Sequence, residues 1–264
     1  MGRLDPLFAA TRGDGRAALM GYLPAGYPSV DASIEMLNAM IDAGADLVEV
    51  GIPYSDPVLD GPTIQAAADA ALRNGFRLRD TFRVVEAVSS AGGRAVVMTY
   101  WNPVHRYGVD AFARDLAAAG GLGIITPDLV PDEASDWLAA SQTHDLDRIF
   151  LVAPSSTEER IVRTVEAASG FLYAAAVMGV TGARDTVGSA AAGLVARTRA
   201  HTTLPIGVGI GVRSGDQAAE VAGFADAVIV GSALVSSAGE GVDAVRALTE
   251  ELAAGVRRPV VTNG

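Results

Sequence analysis

The 264-residue sequence predicts an α/β protein built as a single (β/α)8 barrel spanning residues 1–264. Three observations carry that expectation. Short β-rich runs alternate with Ala-rich amphipathic stretches from end to end, which signals parallel β-α units rather than separate blocks of strand and helix. Eight such units can be counted, more than an open doubly wound sheet usually holds. No linker, low-complexity tract or shift in composition divides the chain, and its length is the usual size of one barrel.

In chain order, strands are expected at 18–23, 47–51, 95–100, 123–126, 149–153, 171–176, 205–209 and 226–230. Helical runs lie between them, among them 30–43, 110–119, 156–168 and 215–222. Ser29, Thr63, Ser156 and Ser214 stand where a first helical turn needs an oxygen acceptor. Alternate residues of a barrel strand face the interior, and the active site of such barrels lies at the C-terminal mouth. In Leu47-Val-Glu-Val-Gly51 the two valines belong to the helix side, so Glu49 points inward near the upper rim. Met98 and Tyr100 share one face, and Gly207, Gly209 and Gly211 share another, which leaves room for a ligand.

Composition excludes several chemistries. Half of the residues are hydrophobic, ample for one large core, yet no apolar run approaches the roughly 20 residues of a membrane span. The first residues lack the apolar stretch of a signal peptide, so a soluble, cytoplasmic protein is expected. A formal charge of −11 argues against nucleic acid and gives an anionic substrate no help from the overall field. Local backbone dipoles must therefore hold any phosphate. There is no cysteine, hence no thiol nucleophile or thiolate metal site. There is no lysine either, so no Schiff base forms here and no pyridoxal phosphate is anchored by this protein. The three histidines, His105, His144 and His201, have no metal-ligand spacing, so no metal is expected.

Glu49 is the sharpest single clue. A carboxylate in an apolar strand costs several kcal/mol unless paired or protonated, and no nearby arginine offers itself. Rescue by a distant arginine is the structural reading; a desolvated carboxyl with a raised pKa, suited to proton transfer, is the functional one. The loop that follows carries Asp56 and Asp60 among three prolines. Both suit turn chemistry, and Asp60 can also serve as the second carboxyl of an acid-base pair. Gly179-Val-Thr-Gly182, Gly209-Ile-Gly211 and Gly231-Ser232 follow strands six, seven and eight. Such turns are where many barrels bind phosphate through backbone N–H groups. Together these parts describe a phosphorylated substrate handled by carboxylates, without lysine, thiol or metal. Two other readings compete: a catalytically silent regulatory barrel, marked by loss of Glu49 or Asp60, and a two-aspartate sugar-phosphate isomerase, marked by a second Gly-Ser site in the first half. Neither mark is present.

The run Val48-Glu-Val-Gly-Ile-Pro-Tyr-Ser-Asp-Pro-Val-Leu-Asp-Gly-Pro-Thr-Ile-Gln65 resembles the signature of tryptophan synthase α subunits. Further matches are Pro24-Ala-Gly-Tyr-Pro28, Tyr100-Trp-Asn-Pro103, Pro127-Asp-Leu129, Leu151-Val-Ala-Pro154, Gly179-Val-Thr-Gly182 and Gly231-Ser-Ala233, in order over about residues 17 to 235. The resemblance implies a TIM barrel with an extra N-terminal helix. The activity it implies is retro-aldol cleavage of indole-3-glycerol phosphate to indole and glyceraldehyde 3-phosphate. It makes Glu49 the acid-base glutamate and Asp60 the catalytic aspartate. Tyr22, Met98, Tyr100 and Tyr173 become substrate-pocket residues, and Thr181 a lid residue that bonds the aspartate. Gly182, Gly211, Gly231 and Ser232 become the phosphate site. It also implies a partner, the pyridoxal-phosphate-dependent β subunit of an α2β2 complex, with no cofactor in this protein and loops 53–61 and 178–190 as coupling elements. Ala176, Val177, Ile210 and Leu59 depart from the pattern, which bears on lid closure and the fit around the indole ring rather than on the catalytic pair.

Overall fold

The computed structural model describes residues 2–176 and 184–258, the backbone alone at 184–187. Helix α1 (Asp5–Gly13) precedes the first strand. Eight parallel strands then close into a barrel in chain order. They are β1 (Ala18–Pro24), β2 (Leu47–Gly51), β3 (Ala95–Met98), β4 (Gly123–Thr126), β5 (Asp147–Val152), β6 (Leu172–Ala175), β7 (Ile206–Gly209) and β8 (Ala227–Val230). β8 returns to β1, with Ala227 opposite Ala18 and Val230 opposite Gly21, so the sheet keeps no free edge. The outer ring follows as α2 (Val30–Asp42), α3 (Pro62–Arg73), α4 (Leu78–Ser90), α5 (Trp101–Tyr107), α6 (Val109–Ala118) and α7 (Ser135–Thr143). It is completed by α8 (Glu158–Ala167), α9 (Arg184–Arg199), α10 (Gly215–Ala222), α11 (Ser232–Ala238) and α12 (Val242–Val256).

Two apolar clusters divide along the strand alternation. Val48 and Val50 of β2 and Val97 of β3 join the shell packed against the helices. Leu47, Val96, Ile125, Ile149, Phe171 and Ile229 point the other way and fill the interior. The floor is closed by α1, whose Leu7 and Phe8 enter that interior cluster with Leu4 just before it. The Phe8 and Phe171 rings stand 5.8 Å apart. Buried Asp147, at the start of β5, accepts hydrogen bonds from Leu4 N at 2.8 Å and Ser169 Oγ at 2.7 Å, tying the N-terminal segment to the barrel. The extra helix is therefore a plug.

Several expected boundaries shift. β3 ends at Met98 rather than 100, because Tyr100 already sits at the N-terminus of α5. Ser29 and Ser214 cap α2 and α10 as expected, accepting from Ala32 N and Gln217 N. Thr63 does not cap α3: Gly61 holds that position and Pro62 opens the helix. Proline is pre-set for the first helical residue, and its missing N–H leaves nothing to cap there. Thr157 caps α8 in place of Ser156, whose Oγ accepts from Ala153 N instead. Among the described residues no helix is long and apolar enough to cross a membrane.

Candidate active site

The register of the first strands sets the site. Tyr22 of β1 lies opposite Glu49 of β2, and Glu49 opposite Val96 of β3. One step further along, Val50 pairs with Val97, and Gly51 then pairs with Met98. Inward side chains at these levels stand just above the packed interior, at the C-terminal ends of the strands.

Glu49 is fully buried, at 0% exposure. Among the described residues neither of its carboxyl oxygens has a hydrogen-bond partner, so no described arginine rescues it. Burial raises its pKa to about 8. A carboxyl in that condition is mostly protonated at neutral pH, since an uncompensated buried charge is the costlier state.

Asp60 comes from the irregular segment between β2 and α3 and is half-buried. Burial raises its pKa, and the neighbouring Tyr100 hydroxyl pulls it part of the way back. The same Tyr100 oxygen accepts from Leu59 N at 2.9 Å and Val58 N at 3.1 Å. Tyr22 and Tyr173 complete the group. Burial raises both phenols well above their usual range, with the Asp60 and Glu49 charges acting in the same direction on each. The two carboxyls thus differ: Glu49 is wholly buried, whereas Asp60 is half-buried nearer the rim beside the Tyr100 phenol. That is the pattern of an acid and a carboxylate set apart by environment.

The space enclosed by Tyr22, Ile52, Asp60, Met98, Thr99, Tyr100 and Pro127 is about 10 Å³, roughly one water molecule. The room expected beside the β7 glycines is occupied. A side chain at 209 would run into the Tyr173 ring, and one at 207 would meet Phe171 and Ile229 within 3.3 Å. Gly51 faces the Tyr22 ring in the same way. Gly51 and Gly209 thus make space for the Tyr22 and Tyr173 rings.

Of the residues expected to hold phosphate, Gly211 has φ +79°, a conformation favouring glycine. Gly231 is the N-cap of α11 and Ser232 its first residue, and a side chain at 231 would lie 3.8 Å from the Tyr22 ring. Thr181 and Gly182 lie outside the described residues. Among the described residues no group of three or more His, Asp or Glu is placed to hold a metal ion.

Four contacts at the rim escaped the sequence reading. Gln65 Nε2 donates to the Asp60 carbonyl at 2.7 Å. Tyr54 stacks on Tyr100 with ring centroids 5.2 Å apart and accepts from Asn102 Nδ2 at 3.1 Å. Asp128 accepts from Trp101 N at 2.9 Å, capping α5 from the loop after β4. All of these residues lie within the family-like motifs, but spacing alone does not pair Tyr54 with Asn102, 48 positions away.

Comparison with known proteins decides the family. The family model described as tryptophan synthase alpha chain matches residues 8–260. The chain belongs to the tryptophan synthase alpha chain family. The tryptophan synthase alpha chain of Nocardia farcinica is 69% identical over 261 residues, covering 99% of this chain and 98% of that one. The alpha chain of Mycobacterium tuberculosis is 66% identical over 255 residues, covering 97% and 94%. A solved structure of M. tuberculosis tryptophan synthase superposes with a TM-score of 0.93 at 65% identity, over 97% of this chain and 99% of that one. The tryptophan synthase subunit alpha of Legionella pneumophila, at 30% identity, still reaches 0.87 over 98% of both chains. As a member of this family, the protein is a carbon–carbon lyase that cleaves indole-3-glycerol phosphate to indole and glyceraldehyde 3-phosphate.

Proposed function

We propose that Glu49 and Asp60 carry this cleavage as an unequal carboxyl pair. The observation behind the reading is Glu49: wholly buried, without a hydrogen-bond partner among the described residues, its carboxyl raised to about 8. In the reaction, Asp60 accepts the indole N–H and stabilises positive charge developing on that nitrogen. Glu49 gives its proton to C3 of the indole ring, producing an indolenine. Its C=N draws the electrons of the bond that joins the ring to the glycerol phosphate arm. The Glu49 carboxylate then takes the hydroxyl proton as that bond breaks, so the proton count closes and the aldehyde leaves. The substrate's own nitrogen stands in for the lysine imine of other aldolases, consistent with a protein that has no lysine.

Tyr22, Met98, Tyr100 and Tyr173 line the indole pocket. Gly182, Gly211, Gly231 and Ser232 hold the phosphate through backbone N–H groups, and Thr181 reaches Asp60 from the lid. The whole of 1–264 acts as one domain in the cytoplasm, with no cofactor of its own. Its partner is the β subunit of tryptophan synthase, which carries the pyridoxal phosphate and receives indole within an α2β2 complex. The test is indole release from indole-3-glycerol phosphate by the full-length protein and by Glu49→Gln, each with and without a β subunit. Activity that rises with β and is lost in the variant is expected. Indole release by the variant at the unmodified rate would refute the assignment of Glu49.

A further inference from the structure

Asp60 hangs on a segment that sequence makes loose. The next residue is Gly61, which has no side chain to cap the helix, and Pro62 supplies no N–H, so nothing in the ordinary capping repertoire fixes the approach to α3. Rotation about Gly61 would swing the Asp60 carboxyl towards or away from the pocket. Two contacts remove that freedom. On the strand side, the Tyr100 oxygen gathers Val58 N at 3.1 Å and Leu59 N at 2.9 Å, the two residues that lead into Asp60. On the helix side, Gln65 is the fourth residue of α3, and its amide reaches back past the helix start to the Asp60 carbonyl at 2.7 Å. Gln65 is itself exposed and does not line the pocket, so packing gives no reason for that long polar side chain to be held in one place.

We propose that Gln65 is a positioning residue for Asp60, locking the aspartate's backbone to the rigid first turn of α3 while Tyr100 holds it from the end of β3. The inference rests on the assignment of Asp60 to the indole nitrogen. A carboxylate serving a developing charge must already stand where that charge appears, and small displacements weigh on the rate far more than on binding. Loss of the Gln65 tether therefore lowers kcat and spares KM.

The experiment compares the full-length protein with Gln65→Met, which keeps length and helix preference but removes the donor, and with Gln65→Lys, which restores a donor. Asp60→Asn is run beside them. Indole release is measured over a range of indole-3-glycerol phosphate, alone and with a β subunit, together with the thermal midpoint of each variant. The expected result is a kcat about tenfold lower in Gln65→Met with KM within about threefold, an unchanged midpoint, and substantial recovery in Gln65→Lys. An unchanged kcat, a loss carried by KM, or a loss that tracks a fallen midpoint overturns the positioning role. Full activity in Asp60→Asn overturns the assignment of Asp60 itself, a different failure that the same data identify.

Discussion

The Tyr100 hydroxyl oxygen lies 2.9 Å from the backbone nitrogen of Leu59, bridging the end of β3 to the segment that carries Asp60. With Val58 N at 3.1 Å on the same oxygen, one phenol holds the two residues that lead into Asp60. Tyr100→Phe keeps the ring against Tyr54 and removes that oxygen. We expect kcat/KM to fall about tenfold, the order of one or two hydrogen bonds, and amide exchange of residues 58–60 to accelerate. Unchanged exchange there would mean the segment is held by something else.

The pH dependence should be a bell with unusual edges. Glu49 acts as an acid, and its carboxyl is raised to about 8, so activity declines as pH rises through that value. Asp60 must be ionised, and its burial-raised pKa places the acid limb above the ordinary aspartate range. In Asp60→Asn the acid limb should recede while the alkaline one stays. A pH–rate profile of the wild-type protein and this variant checks both edges.

Glu49 also bears on stability. Its folded pKa is raised above the ordinary value of 4.5, so between that value and about 8 the folded state holds a proton that the unfolded state has released. Its contribution is greatest below the unfolded pKa and is lost as pH rises, at no more than about 1.4 kcal/mol per pH unit. Glu49→Gln has nothing to titrate there. Denaturant unfolding at several pH values between about 5.5 and 7.5 should show a shallower decline for the variant. Parallel slopes would place the steepness elsewhere.

Asp147 offers the opposite case. It lies at the barrel floor and holds Leu4 N and Ser169 Oγ, far from the carboxyl pair along the strand direction. Asp147→Ala leaves a buried amide without its acceptor and should lower stability by about 1–3 kcal/mol while kcat stays within about twofold. Chemical denaturation and initial rates on the same preparation separate the two effects.

Gly209→Ala probes the crowding of the pocket. The added methyl would run into the Tyr173 ring. The ring must move into the space the substrate needs, so KM should rise by about tenfold, the scale of 1–3 kcal/mol for an overpacked core. Substrate-saturation curves give the answer directly.

Much of this architecture is legible in the residues themselves. The alternation of Val48, Glu49 and Val50 settles which way the glutamate points, because a two-residue period leaves no other choice once the valines pack outward. All eight strands appear where β-rich runs stand, β2 and β4 at the expected bounds and the others with ends displaced by one or two residues. Cap assignments failed where one oxygen-bearing residue neighbours another candidate, as with Ser156 and Thr157, or where Pro62 pre-empts the first turn. What stayed hidden are contacts between distant residues. Gly209 reads as open space along the strand, but the ring that fills it arrives from β6. The hold of Tyr100 on Leu59 spans 41 positions and depends on how β2 and β3 lie side by side.

The plug formed by α1 makes the barrel a cup. With Leu4, Leu7 and Phe8 packed beneath Phe171, the floor is apolar and buried, and the packed interior rises from there to the level of Glu49. The carboxyl pair therefore lies towards the opposite end, at the rim where the strands finish. A partner docked across that rim stands on the side where a small apolar product leaves, and the plugged floor is turned away from it.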